Sequence, residues 1–320
     1  MQKLQMTTQE GENVAVCAIN GNFDDAQSAV KSIFTNNDIK KELAKKNMMF
    51  SSANSINWGR LVPQIVYYFS TYCDLINMNK IKAGDEINIV VPTGNFGNIL
   101  AAYYAKKMGL PIAKFICASN ENNVLTDFIK TGVYNKNRDF HTTISPSMDI
   151  LISSNLERFL YDLTGCDDKL VSEWMKELNT NGSYEVSADV KAKMQEMFTA
   201  GCCDDAETMA TIKKCASEYD YVIDTHTAVA KSVYDKYVAQ TGDTTKTIIA
   251  STASPFKFNQ SVLIALEDHN AVVGKDEFTL LKELSEKSNM QIPKSLYELK
   301  DKSVVFDLVC CLLYTSPSPR

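Results

Sequence analysis

The sequence predicts an α/β protein with a parallel sheet flanked by helices, and three observations predict it. Short apolar, β-branched runs at 87–91, 111–118 and 247–250 read as buried strands, each followed by a helix-period segment. That alternation is the pattern of a parallel sheet with right-handed crossovers. The loops closing these strands are rich in Gly, Asn, Ser and Thr, and ligands gather at the carboxyl ends of strands in such sheets. With 320 residues, 45% of them hydrophobic, the chain can bury a large core in one big domain or two smaller ones.

In chain order, 14–19 reads as a buried strand and 21–34 as a turn and helix. Asp24 and Asp25 lie near the helix start, where acids suit the dipole, and Ala26, Val30, Ile33 and Phe34 form one apolar face. At 52–76 the apolar residues Leu61, Ile65, Tyr68 and Phe69 repeat helically. Asn54, Ser55 and Asn57 precede them, either as capping residues or as donors to a ligand. Pro63 is compatible with this helix if it falls in the first turn.

The densest signal is 87–105. A buried strand runs into Pro92-Thr93-Gly94-Asn95-Phe96-Gly97-Asn98, and a helix with Leu100, Tyr103 and Tyr104 at helical spacing follows. Gly94 and Gly97 can take positive φ and leave room above the backbone. The turn then points N–H groups outward at the positive end of a helix, an anion site suited to phosphate. No Gly-Lys-Ser/Thr follows, and the glycine spacing does not fit G-x-G-x-x-G. A packing role for the two glycines is the competing reading.

The strand at 111–118 ends at Ser119-Asn120-Glu121-Asn122-Asn123, with a helix over 124–130. Residues 143–158 read as a polar loop leading to a helix near Ser154, with no chemistry assigned. Charged amphipathic helices follow at 169–178, 188–198 and 205–219, the last two separated by Gly201-Cys202-Cys203-Asp204. Residues 221–230 read as a short strand opening into a helix capped by Asp224 or Thr225. His226 stands at that helix start, as a structural or a site-lining residue. Thr247–Ala250 leads into Ser251-Thr252-Ala253-Ser254-Pro255, which sets hydroxyl groups at the carboxyl edge of the sheet, and a helix follows from Ser261. Residues 280–304 read as helix and linker. The last stretch has no helix or strand period, and its Ser-Pro repeat suits a disordered tail.

Composition narrows the function. Formal net charge is −6 with acids and bases interspersed, so nucleic acid is not an expected partner. No apolar run approaches the ~20 residues of a membrane helix, and the polar start has no signal-peptide pattern. A cytoplasmic setting is therefore expected. Nine cysteines without a C-x-x-C pair read as reduced thiols. His141, His226 and His269 are too scattered to suggest zinc, so no metal is expected.

The Pro92–Asn98 phrase resembles the glycine loop of threonine synthases. Gly21–Ala26, Asn54-Ser55-Ile56-Asn57, 143–158, Asp224–Ala228 and Ser251–Pro255 resemble the same family, in order. The resemblance covers about 1–305 and implies a fold-type II, tryptophan-synthase-β-like architecture with pyridoxal 5'-phosphate as cofactor. It implies that Gly94, Asn95, Phe96, Gly97 and Asn98 hold the cofactor phosphate and that Thr252 contacts the pyridine nitrogen. It implies further that Asn54 and Ser55 bind the substrate, chiefly at its phosphate end. The implied reaction converts O-phospho-L-homoserine and water to L-threonine and phosphate, in a monomer or homodimer.

The family joins its cofactor to a lysine in a Phe-Lys-Asp phrase, which this sequence lacks. Phe256-Lys257-Phe258 belongs to a separate motif, and Lys257 reads as a loop or surface lysine. The resemblance thus implies that the catalytic lysine lies upstream of Met1 and that this chain is an inactive fragment matching the C-terminal two-thirds of such enzymes. On that reading 1–50 is the remnant of a small mobile α/β domain, 51–304 the large cofactor-binding domain and 305–320 a disordered or non-native tail. Three alternatives stay open: a serine or threonine dehydratase of the same fold, a non-catalytic phosphate-ligand-binding module, and a structural α/β protein.

Overall fold

The computed structural model describes residues 1–21 and 23–310. Among them, four parallel strands form the main sheet: β1 (Ile87–Pro92), β2 (Ile112–Ser119), β3 (Phe198–Cys202) and β4 (Thr247–Ile249), in spatial order β3-β2-β1-β4. β1 is buried throughout. Its register sets Val90 opposite Ile116 of β2 and Ile249 of β4. The chain moves from β1 outward to β2 and β3, then returns to the other side of β1 as β4. The order therefore reverses between β1 and β4, and a crevice opens at the carboxyl ends of strands where order reverses.

Helices α1 (Trp58–Asn77), α2 (Gly97–Lys107), α3 (Val124–Thr131), α4 (Leu156–Leu163), α5 (Thr225–Thr241) and α6 (Asn259–Leu266) position the site. The period-two alternation of a strand decides which side each residue serves. Ile87, Ile89 and Val91 face a core built with Leu61, Ile65 and Tyr68 of α1, Leu100 of α2 and Phe128 of α3. Val90, Ile116 and Ala118 face the other way, against Val229, Ala230 and Val233 of α5. A third cluster, with Ile212, Val222, Phe256, Leu263 and Leu281, lies under the C-terminal helices and includes Met1.

Several local expectations differ from the structure. β3 falls where a helix end and a breaker were expected. It holds Gly201 because α5 packs against it: a Cβ there would stand 2.9 Å from Val233 Cγ1. Residues 221–223 form no strand, and Val222 and Ile223 instead enter the third cluster. The run at 14–19 is largely exposed, and only Ala18–Ile19 pairs, in parallel with Val309–Cys310. Of the tail read from 305, residues 311–320 lie outside the described residues, as does Asn22 of the Gly21–Ala26 phrase. Pro63 occupies the sixth position of α1, not its first turn. Without an N–H, Pro63 forgoes the helical hydrogen bond to the Gly59 carbonyl four residues earlier.

Candidate functional site

The turn after β1 is built by close approach and by one strained residue. Neither Gly94 nor Gly97 takes positive φ; the left-handed residue is Phe96, at φ 59°. Its ring is 1% exposed and packs on Phe159 and Phe198, with ring centroids 5.6 and 5.8 Å away. Core packing of that ring holds a conformation few non-glycine residues adopt. The glycines serve space. A Cβ on Gly94 would stand 2.7 Å from the Ser147 carbonyl oxygen, and one on Gly97 2.9 Å from Ser55 Cβ.

The carbonyls of the turn are drawn to one side. Gly94 C=O accepts the Ser153 hydroxyl at 2.9 Å, and Asn95 C=O accepts the Asn155 backbone N–H at 3.1 Å and its amide at 2.9 Å. No backbone carbonyl among the described residues takes the N–H of Asn95, Phe96, Gly97 or Asn98. These donors stand at the N-terminus of the 11-residue α2, where the dipole favours an anion.

Asn54, Ser55, Gly94, Asn95, Phe96, Gly97 and Asn98 line one cavity of about 280 Å³ together with Ser147. Phe96 joins it through its backbone, since its ring is in the core. Asn98 turns its side chain to Tyr68, whose hydroxyl donates to Oδ1, and donates to Gln64 Oε1 at 3.2 Å. Asn54 Oδ1 accepts the Ile56 N–H at 3.0 Å, and Asn57 Oδ1 caps α1 by accepting the Gly59 N–H at 2.9 Å. Ser55 Oγ accepts the Asn155 amide at 2.9 Å.

Thr252 lines a neighbouring cavity of about 760 Å³ with Ser251, Gly59, Pro63 and Tyr67. The two cavities share Arg60, Gln64 and Asn98. Because β4 lies beside β1, Thr252 and the glycine turn flank the same crevice at the point where strand order reverses. Arg60 escaped the sequence reading. Its signal was its place three residues beyond the Asn57 cap, on the first turn of a helix aimed at the polar loop. Lys257 lines neither cavity.

A second layer holds the turn in place. The 3-10 turn Pro146–Met148 backs Gly94, and the Ser147 N–H donates to His226 Nε2 at 3.2 Å. His226 is 2% exposed and lines neither cavity. Asp224 caps α5, accepting the His226 N–H at 2.8 Å and the Thr227 hydroxyl. Burial opposes charge on Asp224, but hydrogen bonds from His226 and Thr227 outweigh it and hold the carboxyl below its usual range. Asp149, 5% exposed, anchors the preceding loop by accepting from Asn120, Asn122 and Thr143. The chemistry of the arrangement is that of an anion cradle beside a polar crevice with one guanidinium.

Comparisons with known proteins give the chain's relatives. Residues 227–304 match the family model described as threonine synthase, C-terminal. Human threonine synthase-like 1 is 42% identical over 293 residues, 91% of this chain and 37% of that protein. Threonine synthase of Saccharomyces cerevisiae is 38% identical over 298 residues, 89% of this chain and 55% of that protein. Among solved structures, PLP-bound threonine synthase from Brucella melitensis superposes with a TM-score of 0.78 at 34% identity, covering 97% of this chain and 59% of that one. The yeast threonine synthase structure gives the same TM-score and identity, covering 98% of this chain and 59% of its own. The chain thus spans between about a third and three-fifths of the relatives it matches. Its fold is the fold-type II architecture of those enzymes, and the chain belongs to the threonine synthase family.

Proposed function

We propose that this chain is the cofactor-cradling and substrate-holding part of a pyridoxal-phosphate-dependent lyase that converts O-phospho-L-homoserine and water to L-threonine and phosphate. The observation that carries this reading is the 93–98 turn. Among the described residues it leaves four successive N–H groups without a backbone acceptor at the start of α2, over two glycines where an added Cβ would collide with Ser147 and Ser55. Those features fit a phosphate group, because a tetrahedral anion needs convergent donors and close backbone approach.

In this reading the N–H groups of Asn95 to Asn98 hold the cofactor phosphate, and Thr252 offers a neutral hydroxyl to the pyridine nitrogen from the adjacent strand end. When bound, pyridoxal phosphate supplies an electron sink for carbanion chemistry beside an amine. A hydroxyl partner, unlike a carboxylate, leaves the ring nitrogen largely unprotonated, so proton placement by other groups matters more. Asn54 and Ser55, with Arg60 at the junction of the two cavities, hold the phosphate end of the substrate. No lysine lines either cavity among the described residues. We therefore propose that 1–320 alone binds cofactor without turning over substrate.

Titration of the purified chain with pyridoxal phosphate, followed by borohydride reduction, tests this. Saturable binding that inorganic phosphate competes away, with no lysine permanently labelled, is the expected result. Absence of saturable binding overturns the cradle, and threonine formation by 1–320 overturns the inactivity.

The lack of a lysine lining either cavity among the described residues favours a second reading: a phosphate-ligand-binding module without the reaction. Discrimination of O-phospho-L-homoserine from inorganic phosphate separates the two, since a generic module shows none.

A further inference from the structure

Asn155 precedes α4 in the stretch 143–158, and it is 1% exposed. Its amide nitrogen donates to Asn95 C=O at 2.9 Å and to Ser55 Oγ at 2.9 Å. Its Oδ1 accepts from Arg158 Nη1 at 2.8 Å. That same guanidinium donates to Ser55 C=O at 3.1 Å and to Ile56 C=O. A guanidinium has donors only, so the Asn155 oxygen must face Arg158 and both amide hydrogens must face Ser55 and Asn95. One buried carboxamide therefore joins the 52–57 loop to the 93–98 turn, with its orientation fixed by Arg158. Ser55 also lies against Gly97, so the two segments touch at a second point that has no hydrogen bond of its own to set register.

We infer that Asn155 is a positioning residue that registers the substrate-side loop on the cofactor-side turn, so that an anion ordering the turn also orders the loop. The inference rests on the reading of the 93–98 turn as the cradle for the cofactor phosphate. Its atoms contact neither ligand in that reading; it acts through Ser55 and Asn95. The reporters are the N–H groups of Ile56 and Asn57, which donate to Asn54 Oδ1 and Asn54 C=O, both at 3.0 Å.

The test is amide hydrogen exchange on the full chain, with and without saturating pyridoxal phosphate, in the wild type, Asn155→Ala and Asn155→Asp. Asn155→Asp keeps the volume and the Arg158 partner but turns a carboxylate oxygen toward the Asn95 carbonyl, so it guards against a variant that merely unfolds. In the wild type, ligand slows exchange at 93–98 and, by about tenfold, at Ile56 and Asn57. In both variants it slows 93–98 alone. Persistent slowing at Ile56 and Asn57 in the variants overturns the inference, as does slowing confined to 93–98 in the wild type; either result leaves the cradle reading standing. No slowing at 93–98 in the wild type removes the cradle reading and the inference with it.

Discussion

The Ser147 N–H donates to His226 Nε2 across 3.2 Å, while the Ser147 carbonyl presses on the space above Gly94. For Nε2 to accept, the ring proton must sit on Nδ1, which lies 3.3 Å from Asp224 Oδ1. His226 is thus a neutral spacer between α5 and the glycine turn, with its ring 4.8 Å from Phe258. His226→Leu takes the acceptor from a part-buried N–H, so it is expected to destabilise the fold by about 1 kcal/mol. His226→Gln places an acceptor near the position of Nε2 and recovers part of the loss. Urea unfolding of the two variants checks this; equal midpoints would remove the role assigned to Nε2.

Gly94→Ala and Gly97→Ala test the close approach directly. Each added methyl meets an atom under 3.0 Å away, backbone in the first case and Ser55 in the second. Overpacking of this kind costs about 1–3 kcal/mol, and Gly94 is the worse site because a backbone oxygen cannot swing aside. Pyridoxal phosphate affinity measured by absorbance is expected to fall by at least about tenfold in Gly94→Ala and by less in Gly97→Ala. The reverse order would mean that Ser55, not Ser147, sets the floor of the cradle.

Much of this site was legible in the residues, and the gaps have physical causes. β1, the turn and α2 could be read because an apolar β-branched run, two glycines and a helix former stretch follow one another. The left-handed position could not: Phe96 adopts it because its ring is captured by Phe159 and Phe198, a tertiary effect. Thr252 could be placed at a strand end but not beside the turn, since the pairing of β4 with β1 is a matter of strand order. β3 was hidden because Phe198-Thr199-Ala200-Gly201-Cys202 has little apolar bulk, and its partner Cys117 lies far away in sequence. His226 left a structural and a site-lining reading open in sequence, and it stands one layer behind the site.

Asp224 makes stability depend on acid in a defined direction. Its folded carboxyl sits below the usual range, chiefly because hydrogen bonds from His226 and Thr227 overcome the burial that opposes its charge. Stability from this group is complete above the unfolded carboxylate value of about 3.9 and is lost as pH falls through the lower folded value. Asp224→Ala removes the α5 cap as well, an effect of about 1 kcal/mol or more at neutral pH. Unfolding curves of wild type and variant at pH 7 and near pH 3 should therefore converge at the acid end. A gap that widens on acidification would contradict the lowered value.

On the proposed function, Arg60 is the residue by which substrate and cofactor binding can be told apart. It lines both cavities, on the first turn of α1, while Asn95, Phe96 and Gly97 of the glycine turn line only the smaller one. Its side chain is exposed, so its charge acts through a partly solvated crevice and is screened by salt. Arg60→Ala is expected to weaken O-phospho-L-homoserine by about 10–100-fold, the range of a charge-assisted hydrogen bond to an anion. Pyridoxal phosphate affinity should change by less than about threefold, since its donors are backbone groups. Arg60→Lys keeps the charge without the planar fork and should fall between the two. Isothermal titration of each variant with both ligands at low and high salt decides it. Equal losses for both ligands would place Arg60 in the cofactor cradle, and no loss for either would leave the guanidinium a surface charge.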